Sequence, residues 1–192
     1  MNKPLFLFCG RSASGKTTVA NMLSEKYGLV QVESYTTRAP RFDGESGHIF
    51  VTEDEFKNLG ELAAYTYYNS NHYGTTFKQL NECDIYVIDV PGIESLLEKL
   101  KDDTRPICVL YFNVSTYNRI QRMIDRGDSD AAIISRLLQD EKDDWGKQLD
   151  SLVWKYANIL GKDVQLNNIN ANGNTKDVLG LVLYYINQYT EV

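Results

Sequence analysis

Apolar residues fall into two alternating patterns along the 192-residue chain. Residues 5–8, 85–88 and 107–112 are continuous apolar runs without polar alternation. A strand with one wet face alternates, so these read as strands covered on both sides, as in a parallel sheet. Between the runs, apolar positions recur at helical spacing. Val19, Leu23 and Tyr27 place a helix over 16–27, with Gly28 as its stop. The same reading predicts helices over 92–101, 115–126, 133 to about 154, and 174–189, with a further short strand at 164–166. Such alternation predicts an α/β fold, a parallel sheet of five strands flanked by crossover helices.

Residues 32–80 break that rhythm. They hold short alternating segments such as Tyr65-Thr66-Tyr67-Tyr68, a turn at Asp43-Gly44, and a capping box running from Thr52 to Glu55. This stretch reads as a small mixed insertion of strands and one helix, about 33–80. It is set on a core formed by 1–32 and 81–192.

Composition narrows the function classes. Twenty Lys and Arg stand against 26 Asp and Glu, a net charge of -6, which disfavours tracking a nucleic-acid backbone. No apolar run approaches the length of a membrane span, and the N-terminal residues lack the long apolar region of a signal peptide. Cys9, Cys83 and Cys108 are scattered without metal-ligand spacing and read as buried, reduced thiols. The expectation is a soluble cytoplasmic protein without membrane or nucleic-acid partners.

The strongest local signal is Gly10-Arg11-Ser12-Ala13-Ser14-Gly15-Lys16-Thr17, followed by Thr18. It matches G-x-x-x-x-G-K-[ST], with a predicted strand running in and a helix running out. Glycines permit inward-turned backbone N–H groups, and the helix N-terminus favours an anion. Lys16 supplies charge for the outer phosphates of ATP, and the Thr17 hydroxyl is a ligand for Mg²⁺. Asn174-Thr175-Lys176-Asp177 holds the residues of a guanine-reading N-K-x-D motif in the wrong order, and reads as a helix cap.

A second anion site is predicted at Ser34-Tyr35-Thr36-Thr37-Arg38-Ala39-Pro40-Arg41, where two arginines three apart can clamp a phosphate monoester. This segment resembles the S-x-T-T-R-x-P-R signature of guanylate kinases. The resemblance continues in order through Gly44-Glu45-Ser46-Gly47-His48-Ile49-Phe50-Val51, Tyr73-Gly74-Thr75, Ile88-Asp89-Val90-Pro91-Gly92, Arg122, Arg126-Gly127, Arg136-Leu137 and Leu166-Asn167-Asn168. It implies a nucleoside monophosphate kinase that moves the ATP γ-phosphoryl group to GMP or dGMP with Mg²⁺. Arg38, Arg41 and Tyr73 would then grip the acceptor phosphate. Ser34, Thr75 and Asp89 would face the guanine, with Asp89 also reaching the metal's water shell. Arg126 and Arg136 would close over the transferring group from a short lid, about 126–136, and Asn167 would lie near the adenine.

Two positions depart from the family pattern. His48 stands where the family has a phosphate-binding Tyr. As an imidazole it can donate to phosphate with pH dependence near neutrality, or it is an exposed loop histidine. Ala64 stands nine residues before Tyr73, where the family has a guanine-reading Glu, and Glu61 replaces that carboxylate only if the register slips. Arg119 shares a helix face with Arg122 and Arg126, as part of a lid or as a solvated stripe balanced by nearby Asp residues. Tyr65, Tyr67, Tyr68 and Tyr73 stack on a base or pack. The rival functions are a kinase for another (deoxy)nucleoside monophosphate and a non-catalytic interaction module of the same fold.

Overall fold

A computed structural model describes residues 3–41, 43–142 and 144–190. Met1 and Asn2, which belong to the N-terminal run read above, and Asp143, inside the helix predicted from 133, lie outside the described residues. Four parallel strands form the main sheet: β1 (Leu5–Cys9), β6 (Ile85–Val87), β7 (Ile107–Asn113) and β8 (Val164–Asn170), in the order β6-β1-β7-β8. Strand periodicity sends Leu5, Leu7 and Cys9 to one face and Phe6 and Phe8 to the other. The first face is covered by α4 (Val90–Lys99) and α7 (Trp145–Trp154), the second by α1 (Lys16–Tyr27) and α8 (Thr175–Thr190). Burial on both faces explains why the strands carry no polar alternation.

The expected fifth strand is reduced to one parallel bridge. Val30 O accepts from Ile85 N at 3.0 Å and Val32 N donates to Ile85 O at 2.8 Å, around the Gln31–Ile85 pair. The chain leaves β6 there because Ser34 already pairs in a second sheet. That sheet has the order β3-β2-β5-β4, built from β2 (Ser34–Thr36), β3 (His48–Phe50), β4 (Leu62–Tyr68) and β5 (Asn71–Thr76). The β4–β5 hairpin turns through Asn69 and Ser70, both at positive φ. β4 packs on α4, with Ala63 and Ala64 buried in the core.

Two helices accompany the second sheet. The predicted capping box is present at Thr52 of α2 (Glu53–Lys57), and an equivalent one at Thr76 and Gln79 starts α3 (Phe77–Glu82). The long helix expected from 133 is two: α6 (Asp130–Asp140) and α7. The carboxylates of Asp140 and Glu141 fall at a helix C-terminus, where the dipole disfavours negative charge, and Asp144 opens α7 by accepting from Lys147 N at 3.3 Å. Before them, α5 (Thr116–Asp125) is capped by Ser115. No described helix is long and apolar enough to cross a membrane. The three cysteines are free and buried.

Candidate active site

The C-terminal ends of the parallel strands and the second sheet enclose a cleft of about 510 Å³. Ligands of α/β sheets lie at this edge, because helix N-termini and loops converge there. The floor is the loop between β1 and α1. Gly10 is required by close approach: a Cβ on it would stand 2.7 Å from Phe112 O and 2.9 Å from Ser14 Oγ. Ala13 and Gly15 both adopt left-handed backbone. No side chain caps the α1 N-terminus, and its first turn carries no acidic residue, so its free N–H groups face the cleft as an anion site. Lys16 folds back over the loop, with Nζ 2.5 Å from Gly10 O, 3.0 Å from Arg11 O and 3.1 Å from Ser14 Oγ. Burial pulls the Lys16 ammonium down to about 8.

Four guanidinium groups gather across the cleft. Glu45 organises two of them. It accepts from Arg38 Nη1 at 3.2 Å and Nη2 at 2.8 Å, and from Arg41 N at 2.7 Å and Nη1 at 3.2 Å. Burial pushes the Glu45 carboxyl up, but its bonds from Arg38 and Arg41 outweigh that and hold it below the usual range. Arg38 also lies over the Phe50 ring at 5.4 Å. Asp128 organises the other two: Arg126 Nε donates to it at 2.9 Å, and Arg136 Nε lies 3.6 Å away. Arg41 is held below its ordinary range by burial and then by the charges of Arg38, Arg136 and Arg126. The excess of cations suits this cleft to a multiply charged anion, in a protein whose net charge is -6.

Most of the expected residues line this cleft: Gly10, Ser12 to Thr18, Ser34, Arg41, His48, Tyr73, Asp89, Arg126 and Arg136. Four do not. Arg11 is half-buried off the wall, and Arg38 stands behind it, fixed by Glu45. Thr75 is fully buried and donates to Tyr86 OH at 2.8 Å, and of this pair it is Tyr86 that lines the wall. Asn167 sits in mid-strand with Nδ2 3.4 Å from Cys108 Sγ, away from the cleft. The residues of that region on the wall are Ala171, Gly173 and Thr175, just past the strand end. Asp89 caps α4: Oδ1 accepts from Gly92 N and Thr66 Oγ1, both at 2.8 Å, and burial raises its carboxyl.

Glu61 is an outward-facing residue, 3.0 Å from Lys99 Nζ with 70% of its side chain exposed, so it does not stand in for the carboxylate absent at Ala64. His48 is a wall residue, with Nδ1 2.9 Å from Ser34 Oγ and its ring edge-on to Tyr73 at 5.7 Å. Burial, then repulsion from Arg38, pulls its imidazole down to about 4, so pH dependence near neutrality is not expected from it. The unfolded chain takes up this proton from about pH 6.5 downward while the folded chain resists it. Stability should therefore fall by up to about 3 kcal/mol between pH 6.5 and 4, and His48→Gln should flatten that fall in acid melting curves.

Arg119 belongs neither to a lid nor to a solvated stripe. Both it and Asp140 are 1% exposed and paired, against the main chain of Ser12. Arg122 donates to Ala13 O at 3.3 Å and Ala171 O at 2.7 Å. Glu45 and Asp140 are not legible as site residues in the sequence, whereas Arg119 is singled out there but with the wrong surroundings. Glu45, inside the Gly44-Glu45 segment, was the nearest to a signal.

Comparison with known proteins gives the family. The guanylate kinase of Nitrosomonas europaea is 30% identical over 146 residues, covering 70% of this chain and 71% of the relative. The chain belongs to the guanylate kinase family. The guanylate kinase of Geobacter metallireducens is 29% identical over 145 residues (69% and 70% of the two chains), and that of Streptococcus pneumoniae 28% over 154 residues (73% and 72%). A crystal structure of guanylate kinase from Anaplasma phagocytophilum superposes with a TM-score of 0.58 at 21% identity, over 97% of this chain and 86% of that one, and so shares the fold. No family model matches the chain. Membership makes it a relative of nucleoside monophosphate kinases, and in this chain the phosphate loop and Arg41, from the loop that follows β2, line one cleft.

Proposed function

We propose that the protein transfers the γ-phosphoryl group of ATP to GMP or dGMP, giving ADP and GDP or dGDP. The observation that carries this reading is the convergence of the phosphate loop with Arg41, Arg126 and Arg136 on a single cleft. An oxygen of the acceptor phosphate forms the new bond to the γ-phosphorus as the bond to the bridging oxygen of ADP breaks. Such a transfer asks the protein mainly for alignment and charge neutralisation. Lys16 and the α1 N-terminus hold the donor phosphates. Arg41, His48 and Tyr73 hold the acceptor phosphate from the insertion, about 33–80, with Arg38 held behind them by Glu45. Arg126 and Arg136, on a lid of about 126–136, exchange Asp128 for the transferring group.

The donor set on the wall suits Mg²⁺. Thr17 offers an exposed hydroxyl and Asp89 a carboxylate, while no cluster of three His, Cys, Asp or Glu exists among the described residues. An ion with few protein ligands, retaining water and nucleotide oxygens, fits such a wall. When bound it would neutralise developing charge on the phosphates, with Thr17 as direct ligand and Asp89 reaching it through water. Free, buried thiols suit a reducing compartment, and we place the reaction in the cytoplasm.

Guanine recognition falls to Asp89. The carboxylates on the cleft wall are Asp89 and Asp140, and Asp140 is consumed by Arg119 and Ser12. With Ala64 buried and Glu61 turned outward, discrimination for guanine should be weaker by about 1.5–3 kcal/mol, ten- to a hundredfold. Release of ADP from Mg-ATP, measured against a panel of ribo- and deoxyribonucleoside monophosphates, tests the reading. GMP or dGMP should turn over fastest with a narrow margin. Fastest turnover with another base would move the specificity, and silence with every acceptor despite ATP binding would favour an interaction module. Glu45→Gln should raise the acceptor KM about tenfold with little change in kcat, because it loosens the two arginines without removing either. Steady-state kinetics in both substrates checks this.

A further inference from the structure

The buried pair Arg119–Asp140 has a geometry that a simple structural ion pair does not need. Asp140 Oδ2 accepts from Arg119 Nη2 and from Ser12 N at 2.9 Å, while Arg119 Nε donates to Ser12 O at 2.9 Å. Both polar main-chain groups of one phosphate-loop residue are thus claimed by one ion pair. The next residue, Ala13, holds φ 59, a left-handed conformation that an L side chain keeps only under outside restraint. Buried ion pairs contribute little net stability compared with apolar residues of similar volume, so stability alone is a weak reason for one here. Asp140 is also the last residue of α6, one turn beyond Arg136 on the same helix face. The Tyr68 hydroxyl of β4 reaches its other oxygen at 3.4 Å.

We infer that Arg119 and Asp140 are positioning residues that hold the phosphate loop in its anion-binding shape and register the lid helix against it. The pair touches no reacting atom. It sets the Ser12 peptide, and through it the turn at Ala13, while anchoring the end of the helix that carries Arg136. The inference rests on the reading of this loop as the site for the donor phosphates.

Two variants and one measurement on the wild-type protein test it. Arg119→Lys keeps a charge opposite Asp140, but a single ammonium cannot reproduce the guanidinium bridge to Ser12 O. Arg119→Met/Asp140→Val removes the pair at similar volume, and should keep the protein folded. Affinity for Mg-ATP, read by calorimetry or by fluorescence of the cleft residue Trp145, should weaken about tenfold or more in both variants. The KM for the acceptor should stay within about twofold. A merely structural pair would lower the melting temperature and leave ATP affinity unchanged in whatever remains folded. A folded variant that binds ATP like the wild type overturns the inference. Amide exchange of Ser12 in the nucleotide-free wild type does not depend on either variant folding. It should be protected, and exchange at the rate of an open loop would equally overturn the assignment. Absence of ATP binding by the wild type itself would instead sink the donor-site reading.

Discussion

Lys16→Ala is expected to lower turnover by about 10²–10³-fold while the protein stays folded, as judged by melting temperature and by rate at saturating ATP. Lys16 Nζ lies among Gly10 O, Arg11 O and Ser14 Oγ, folded onto the loop that a triphosphate would occupy. In the proposed reaction its charge neutralises the outer phosphates at that point, and alanine offers nothing there. The stability effects oppose each other. The variant loses three hydrogen bonds, but it also loses a buried ammonium whose desolvation is the main reason its pKa falls to about 8. The melting temperature should therefore move by only a few degrees.

The sign of the pH dependence follows from the same burial. Between about pH 8 and 10.5 the unfolded chain keeps this proton and the folded chain releases it, so the burial penalty is relieved as pH rises. ATP reverses the preference, because its phosphates favour the ammonium. Binding near pH 9 should take up a proton, seen as a calorimetric enthalpy that depends on the ionisation heat of the buffer, and this dependence should vanish in Lys16→Ala. A variant that retains full turnover would remove the loop from the chemistry.

The α/β core was legible because its signals are local and strong. The apolar runs at β1, β6 and β7 carry no alternation, and the phosphate loop sits between a strand and a helix. The capping box at Thr52 was legible for the same reason. The one at Thr76 and Gln79 follows the same rule, but the sequence reading gives 33–80 strands and only one helix. The failures at the site itself are long-range. Nothing near Arg119 announces that Asp140, 21 positions later, will neutralise it in the core, so helix spacing alone grouped it with Arg122 and Arg126. Glu61 and Ala64 depend on register: the irregular pairing of β4 near Leu62 and Ala64, and the lysine on α4, decide that Glu61 faces out. The lowered pKa of His48 comes first from burial and then from the charge of Arg38, and the extent of that burial is not written in the sequence. Charge partners and desolvation are properties of the assembled cleft, and a motif reading assigns residues to it without their electrostatics.

Arg126→Ala should cost on the order of 10³-fold in kcat, by analogy with arginines that neutralise charge in phosphoryl transfer, while folding is barely affected. The resting contacts of Arg126 support the second half. Its partner is Asp128, two residues away, and 38% of its side chain is exposed, so the pair contributes at most about 1 kcal/mol. The fork geometry supports the first half. Nε and Nη2 already hold a carboxylate through two parallel bonds, the arrangement that also fits a phosphoryl group. Asp128 thereby keeps the guanidinium ordered and close to the cleft until an anion of higher charge replaces it. Arg126→Lys should recover little, since an ammonium carries the charge without the planar fork. Asp128→Asn, which frees the guanidinium without removing it, should change kcat far less than Arg126→Ala. Single-turnover rates at saturating ATP and acceptor separate transfer from binding. If Arg126→Ala transfers within about threefold of the wild type in that measurement, far short of the factor such arginines contribute, the lid arginine acts in binding alone and charge neutralisation falls to Lys16 and Arg136.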